Sequence, residues 1–369
     1  MVRATRPQGA TFIELFFDLV FVFAVTQVTA VLEEHLTAVG LVQAVLVFWL
    51  VWWAWTQFTW TLNAANTEHS GIELLTMAAV AAAFFMALTV PDPYETTGGW
   101  FAASYILVRL IGIAGQWWVS AGDAAWRGAI RPWAILSFGG LAAVALAAAL
   151  PPGPRTVLFA AAVGLDLFSA WRAGSGEWRL YPEHFAERHG LFVIIALGES
   201  LIAAGINAGE LEDTGTLLAV TVPAVVAACA LWWTYFSRAK DALEEAMHWT
   251  PSRYRGRFAR DVFSFLHFPI IGGVIGFAVA VVEAVHHPGD HLEPAAALAL
   301  IIGVALFVGC TGLALLRARA EVPLVRAIGI VVLLASYPLL VTVSAATALT
   351  YVALVLVVVA AVDTVRSGR

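Results

Sequence analysis

Charge is scarce in this chain: of 369 residues only 12% are Asp, Glu, Lys or Arg, 61% are hydrophobic, and lysine occurs once, at Lys240. Soluble globular domains carry roughly 25% charged residues, so this sequence has too few to cover a water-facing surface. Cysteine is nearly absent. Cys229 and Cys310 sit inside apolar runs without Cys-x-x-Cys spacing, which excludes a disulfide framework and a zinc ribbon and reads as two small core residues. The balance of 20 Lys plus Arg against 26 Asp plus Glu gives a net charge of -6, and nothing in it points to nucleic acid as a partner. Enzyme signatures are also missing. There is no Gly-rich phosphate loop with its lysine, and Gly198-Glu199-Ser200-Leu201-Ile202 lacks the last glycine of a nucleophile elbow. No cofactor motif appears.

What fills the chain instead is apolar sequence, with a mean hydropathy of +0.84. Windows of about 20 residues span a bilayer as a helix. They fall near 10–32, 38–61, 70–90, 99–120, 131–150, 155–171, 189–208, 214–237, 260–284, 294–316, 322–341 and 343–362. The fold class is therefore all-α, a polytopic membrane bundle of about twelve helices, or eleven if the last two windows are one. The basic start at Arg3 and Arg6 resembles a signal peptide, but the run behind it is too long and carries acids, so it reads as a retained first helix.

Short cytoplasmic loops accumulate Arg and Lys, and this orients the bundle. With the N-terminus inside, 18 of the 20 basic residues fall on the cytoplasmic side: Arg3, Arg6, Arg127, Arg131, Arg172, Arg179, Arg188, Arg238, Lys240, Arg253, Arg255, Arg257, Arg260, Arg317, Arg319, Arg326, Arg366 and Arg369. Arg155 falls outside and Arg109 within the fourth helix. The opposite loops collect Glu33, Glu34, Asp92, Glu95, Glu210, Glu212, Asp213, Asp290 and Glu293. Both termini are expected in the cytoplasm. The motif Phe12-x-Glu14 recurs as Phe185-x-Glu187, and Trp52-Trp53 as Trp232-Trp233. This predicts two parallel six-helix repeats, residues 1–172 and 189–369, as in transporters related by an axis along the membrane normal. The cytoplasmic linker between them, 173–188, contains Gly174-Ser175-Gly176 and Tyr181-Pro182.

The few charges inside the apolar windows carry the functional argument. Glu14 and Asp18 lie four residues apart in the first helix, one turn above the other on one face. An ionised acid near mid-membrane costs about 2.5–3.5 kcal/mol on insertion scales and usually faces a protein interior or a watery cavity. Arg109 needs a carboxylate or water as well. Glu199, at matching depth in the seventh helix, is its expected partner, with Asp18 also within reach. A pair of stacked acids in low dielectric titrates as a unit, so Glu14, Asp18, Arg109 and Glu199 are the candidate transport or ion-binding residues; a purely structural ion-pair role is the competing reading. Asp166, Asp261 and His267 lie closer to the cytoplasmic ends, where solvation or snorkelling accounts for them, and together with His184, Glu187 and His189 they are secondary candidates. Metal-ligating residue types gather at Glu68-His69, at His184 with Glu187 and His189, at Glu245 with His248, and at His286, His287, Asp290 and His291, but the spacings fit no specific ligand pattern. The aromatics of the second helix, Trp49, Trp52, Trp53, Trp55, Phe58 and Trp60, read as an interfacial belt and packing surface. The run Arg253-Tyr254-Arg255-Gly256-Arg257 suits anionic headgroups and serves equally as a topogenic signal.

Two stretches also resemble a known family. Glu14-Leu15-Phe16-Phe17-Asp18-Leu19-Val20-Phe21-Val22, and His184 through Glu187-Arg188-His189-Gly190-Leu191 to Gly198-Glu199-Ser200, are similar to the bacterial low temperature requirement protein A (LtrA) family over nearly the whole chain. The resemblance implies a multi-pass bacterial inner-membrane protein. A looser similarity is to lysosomal-type potassium channels with a Phe-Ser-Asp signature, but Phe17-Asp18 lacks the serine and the second half has Gly190-Leu191. The expectation is a transporter or channel for a small solute or ion among membrane lipids. The alternatives are a membrane enzyme acting on a lipid or isoprenoid, and a membrane scaffold or sensor.

Overall fold

The computed structural model describes residues 2–4, 9–34, 37–173, 178–209 and 213–366. Arg6, Glu210, Glu212, Arg369 and the linker glycines Gly174 and Gly176 lie outside the described residues. So do the side chains of Glu33 and Glu34. Helices build the chain, and among the described residues there is no strand, only the isolated bridges Arg3 to Ala65 and His291 to Ser344.

The helices are α1 Phe12–Glu34, α2 Ala38–Ala64, α3 Ser70–Thr89, α4 Gly98–Val119, α5 Ala124–Ala148, α6 Pro152–Ala173, α7 Pro182–Ala208 and α8 Thr214–Thr234. A π-helical turn, Tyr235–Ala239, leads into α9 Lys240–Trp249. After α10 Ser252–Ala259, a second π turn, Arg260–Leu266, leads into α11 His267–His286. Then come α12 Pro294–Arg319, α13 Leu324–Ala335, α14 Tyr337–Leu340 and α15 Ala345–Arg366. Each of the twelve apolar windows thus has a helical counterpart, and ten helical segments among the described residues are long and apolar enough to cross a membrane. The other two are α6 and the window 322–341. The latter is broken at Ser336, two residues before Pro338, whose missing N–H and fixed φ disfavour continuing the helix.

Two compact units are present: Met1–Phe192 with Met247–Ser264, and Val193–Ala246 with Phe265–Arg369. The border at 192 lies inside α7, and α7 starts at Pro182, so the second half of the expected linker is already helix. In the first unit α1 packs on α2 and α3, α3 on α4, α2 on α4 and α6, and α5 on α4 and α6. In the second, α12 packs on α8, α11 and α13, and α15 on α8, α11 and α13. The two sequence coincidences behind the repeat do not share one register, since Phe12 and Phe185 are 173 residues apart and Trp52 and Trp232 are 180 apart.

Close helix approach requires glycine at one seam above all. A Cβ on Gly303 of α12 would stand 2.8 Å from the carbonyl oxygen of Gly273 and 2.9 Å from the backbone N of Phe277 in α11. These contacts are to backbone, so no side chain can move aside. Small residues at such crossings let membrane helices gain van der Waals contact that larger ones forbid. Nor are the cysteines core residues: Cys229 is exposed and Cys310 half-buried. Gly303→Leu should lower the melting temperature and folded yield, with a cost of about 1–3 kcal/mol for overpacking. Gly99→Ala, where a new Cβ meets nothing within 4 Å, should leave both near wild type in the same thermal denaturation.

Candidate functional site

The first turn of α1 is set by Thr11-x-x-Glu14. Glu14 Oε2 accepts from the backbone N of Thr11 at 3.0 Å and from Thr11 Oγ1 at 2.9 Å, the glutamate half of a capping arrangement at a helix N-terminus. One turn on, Asp18 Oδ1 accepts from the indole N of Trp55 in α2 at 2.7 Å. The opposite wall is α7, whose start is pinned by Asn63. The Asn63 side chain accepts from the backbone N of Tyr181 at 2.8 Å and donates to the carbonyl of Tyr181 at 3.0 Å. Pro182 then occupies the first helical position, where a missing N–H costs nothing.

From that start α7 projects His184 and Arg188, one turn apart, toward the two acids. Arg188 donates to both oxygens of Asp18, from Nη2 to Oδ1 and from Nε to Oδ2 at 3.3 Å, and reaches Glu14 Oε1 from Nη1 at 3.4 Å. His184 Nε2 lies 3.0 Å from Glu14 Oε1. All four side chains are 0% exposed. The guanidinium also lies 5.9 Å from the ring centres of Phe17 and Trp55.

The hydrogen bonds around His184 favour one tautomer. The Asn63 Oδ1 must accept from a backbone N–H, so its Nδ2 is the donor that faces His184 Nδ1 at 3.4 Å. Nδ1 therefore accepts and the imidazole proton sits on Nε2, donating to Glu14. Every contact to Glu14 and Asp18 comes from a donor, which favours both as carboxylates. With both acids ionised and the imidazole neutral, this set of two carboxylates and one guanidinium carries one negative charge in excess, and all of it is enclosed.

A second buried site is balanced. Arg109 of α4 donates to both oxygens of Asp166 in α6, at 3.2 and 3.3 Å, to Tyr105 Oη at 2.6 Å and to Ser137 Oγ at 3.2 Å. The Arg109 carbonyl accepts from Gln57 Nε2 at 3.0 Å. The expected Arg109–Glu199 pair is thus corrected. Arg109 is matched by a fork to Asp166 inside its own unit, while Glu199 is half-buried and makes no ion pair among the described residues. Asp18 meets Arg188 and not Arg109. In the second unit Arg326 of α13 donates to Asp363 at 2.8 Å and to the carbonyl of Thr234 at 2.8 Å, while Arg238 pairs with Asp363 and Glu321.

These positions match the description "Bacterial low temperature requirement A protein (LtrA)" over residues 9–361. The chain belongs to this family. It is 30% identical over 361 residues to the uncharacterized protein RA0937 of Rhizobium meliloti (strain 1021), a match covering 91% of this chain and 84% of that one. No solved structure matches.

Within this LtrA-family chain the secondary candidates separate. Glu187 accepts from the backbone N of Ala10 at 2.9 Å and ties the segment before α1 to α7. His189 Nδ1 donates to the carbonyl of Phe185 at 2.8 Å and stands edge-on to Trp55 at 4.9 Å. Asp166 and His267 are not solvated, as their place near helix ends implied: Asp166 is 2% exposed, and His267 is buried with its Nε2 2.7 Å from Tyr235 Oη. Asp261 is half-buried and paired with its neighbour Arg260. Trp52 and Trp55 are core residues that donate to Ser264 and Asp18, not members of an interfacial belt. Arg188 and Arg326, counted as loop residues from the sequence, are fully enclosed. Among the described residues no three His, Cys, Asp or Glu side chains gather closely enough to hold a metal ion.

Sequence reasoning missed Arg188, and a signal for it existed. Glu14-x-x-x-Asp18 and His184-x-x-x-Arg188 present opposite charge at the same one-turn spacing. The Arg109–Asp166 fork makes a direct prediction. Arg109→Leu or Asp166→Leu alone should cost about 3–5 kcal/mol, because each leaves a buried charge unmatched, whereas the double change should recover a large part. Melting temperatures of the three variants in detergent check this, and additive losses would contradict the pairing.

Proposed function

We propose that this protein is a transporter or channel for a small solute or ion in a bacterial inner membrane, with Glu14, Asp18, Arg188 and His184 as its proton- or cation-coupling site. One observation carries the reading: two acids are enclosed with one arginine and one histidine, a set that buries one more negative charge than it neutralises when the imidazole is neutral. Intramembrane acids of this kind mark ion pathways and proton relays, and a low dielectric makes uncompensated charge expensive. Three events relieve it: a proton on one of the two carboxylates, a proton on His184, which requires Nδ1 to give up Asn63, or a monovalent cation at the carboxylates. Each changes the hydrogen bonds between α1 and α7, so occupancy and helix packing are linked.

Arg109 enters this reading as a fixed brace, since Asp166 already neutralises it. Glu199 stays a candidate further along α7, about three turns past Arg188 at 1.5 Å per residue. The orientation with both termini in the cytoplasm rests on the basic loops, and burial of Arg188 and Arg326 removes only two residues from that count. Two successive bundles of similar pairing, α2 with α4 and α6 in one and α8 with α12 and α15 in the other, support two parallel repeats as the frame for alternating access.

A scaffold role is favoured by a different observation, the complete enclosure of all four side chains. Purified protein reconstituted in liposomes separates the two. Flux should depend on pH or on a monovalent cation. Glu14→Gln and Asp18→Asn, checked for monodispersity, should reduce that dependence about tenfold or more, since each loses a charge-assisted bond of about 1.5–3 kcal/mol. Folded variants with an unchanged profile would leave only the scaffold reading.

A further inference from the structure

An exposed apolar surface of the first unit carries a groove that the charge cluster does not explain. It has a volume of about 750 Å³ and runs between α4 and α5. These two helices pack against each other and are joined by a turn of four residues, Ser120 to Asp123, so they are antiparallel. Gly122 makes that turn with φ +79°, a left-handed conformation open to glycine. The two ends of the groove therefore differ in chemistry. Leu110 of α4 and Phe138 of α5 lie at the end away from the turn, and both are exposed. Seven residues closer to the turn on each helix, about 10 Å along the axis, stand Trp117 and Arg131.

Arg127 completes the cationic end. Its guanidinium lies 4.9 Å from the ring centre of Trp117, and its Nε is buried without a hydrogen-bond partner. Neither Arg127 nor Arg131 forms an ion pair among the described residues, although both line the groove. The neighbouring acid does not serve them. Asp123 caps α5 by accepting from the backbone N of Trp126 at 3.0 Å and pairs with Arg179 at 2.7 Å and Arg3 at 3.6 Å. These contacts, the Trp126 N–H first and Arg179 next, hold its carboxyl below the usual carboxylate range. One end of the groove is thus lined by Arg127 and Arg131 beside the indoles of Trp117 and Trp118, while Asp123 is engaged by Arg3 and Arg179.

We infer that this groove binds one anionic phospholipid, with its phosphate on Arg127 and Arg131 and an acyl chain along Leu110, Ile113, Ile135 and Phe138. The apolar length below two unmatched guanidinium groups has the charge profile of such a lipid. Arginine is suited to phosphate because its planar fork donates two parallel hydrogen bonds, and indoles beside it suit the headgroup level. A zwitterionic lipid supplies the same chain but adds a cation where two already stand. This site is separate from the α1–α7 cluster and does not depend on the transport reading.

Full-length protein in detergent tests the inference through thermal shift and native mass spectrometry with added phosphatidylglycerol or phosphatidylcholine of matched chains. Phosphatidylglycerol should raise the melting temperature and remain as one bound copy, and phosphatidylcholine should do neither. Arg127→Gln with Arg131→Gln should weaken phosphatidylglycerol binding roughly 30-fold, at about a fivefold loss per guanidinium. Ala114→Phe fills the exposed groove floor with both arginines in place, so it should also abolish retention, and it carries the test if the arginine variant fails to fold. Equal binding of both lipids, retention in the folded variants, or an equal shift from inorganic phosphate alone would overturn the site.

Discussion

The fork of Arg188 onto Asp18 and Glu14 is the interaction on which the first unit depends. Removing an ion from water into a protein interior costs several kcal/mol even after relaxation, and attraction repays this only with good geometry and matched hydrogen bonds. Here three charged groups and an imidazole are enclosed together, each oriented by a neighbour with a task of its own. Thr11 turns Glu14 while capping α1, Trp55 holds Asp18 from α2, and Asn63 fixes both the start of α7 and the tautomer of His184. The acids and the arginine are 170 and 174 residues apart in sequence. The cluster therefore forms only when α1, α2 and α7 have met, which couples helix packing to charge neutralisation.

Comparison with the other buried arginines shows what sets the proposed functional site apart. Arg109 meets a single carboxylate through two bonds of similar length and adds Tyr105 and Ser137, so its two Nη groups are used on a neutral arrangement. Arg326 and Arg238 meet Asp363 and Glu321, again one acid for each base. Balanced pairs stabilise packing and have no reason to exchange a proton or ion. The α1–α7 cluster sets two acids against one arginine and a histidine, and on the proposed reading a passing cation or proton relieves that imbalance.

Much of the fold was legible because the bilayer admits so few backbone solutions. Runs of about 20 apolar residues located the ten segments among the described residues that are long and apolar enough to span, together with α6 and the broken α13–α14 stretch, and Glu14 and Asp18 stood out as acids in an otherwise apolar window. What did not follow was partner choice. Arg109 and Glu199 match in depth, but depth along a membrane normal says nothing about which helices touch, and α4 packs on α5 and α2 while Asp166 reaches it from α6. Arg188 was hidden for a related reason. A basic residue near a helix start reads as a loop residue, and only the recurrence of one-turn spacing in Glu14/Asp18 and His184/Arg188 marks it as their complement. The break at Ser336 was foreseeable from Pro338, whereas the burial of His267 against Tyr235 had no counterpart in the sequence pattern.

The claim that the α1–α7 cluster holds an excess negative charge rests on the protonation state of His184, and that state is directly measurable. Nitrogen NMR of protein labelled at its nine histidines, with the His184 signals assigned by their loss in His184→Gln, reports both ring nitrogens. The account predicts, near neutral pH, a neutral ring with its proton on Nε2 and an unprotonated Nδ1 facing Asn63. A ring protonated on both nitrogens under the same conditions would make the cluster neutral and contradict the account.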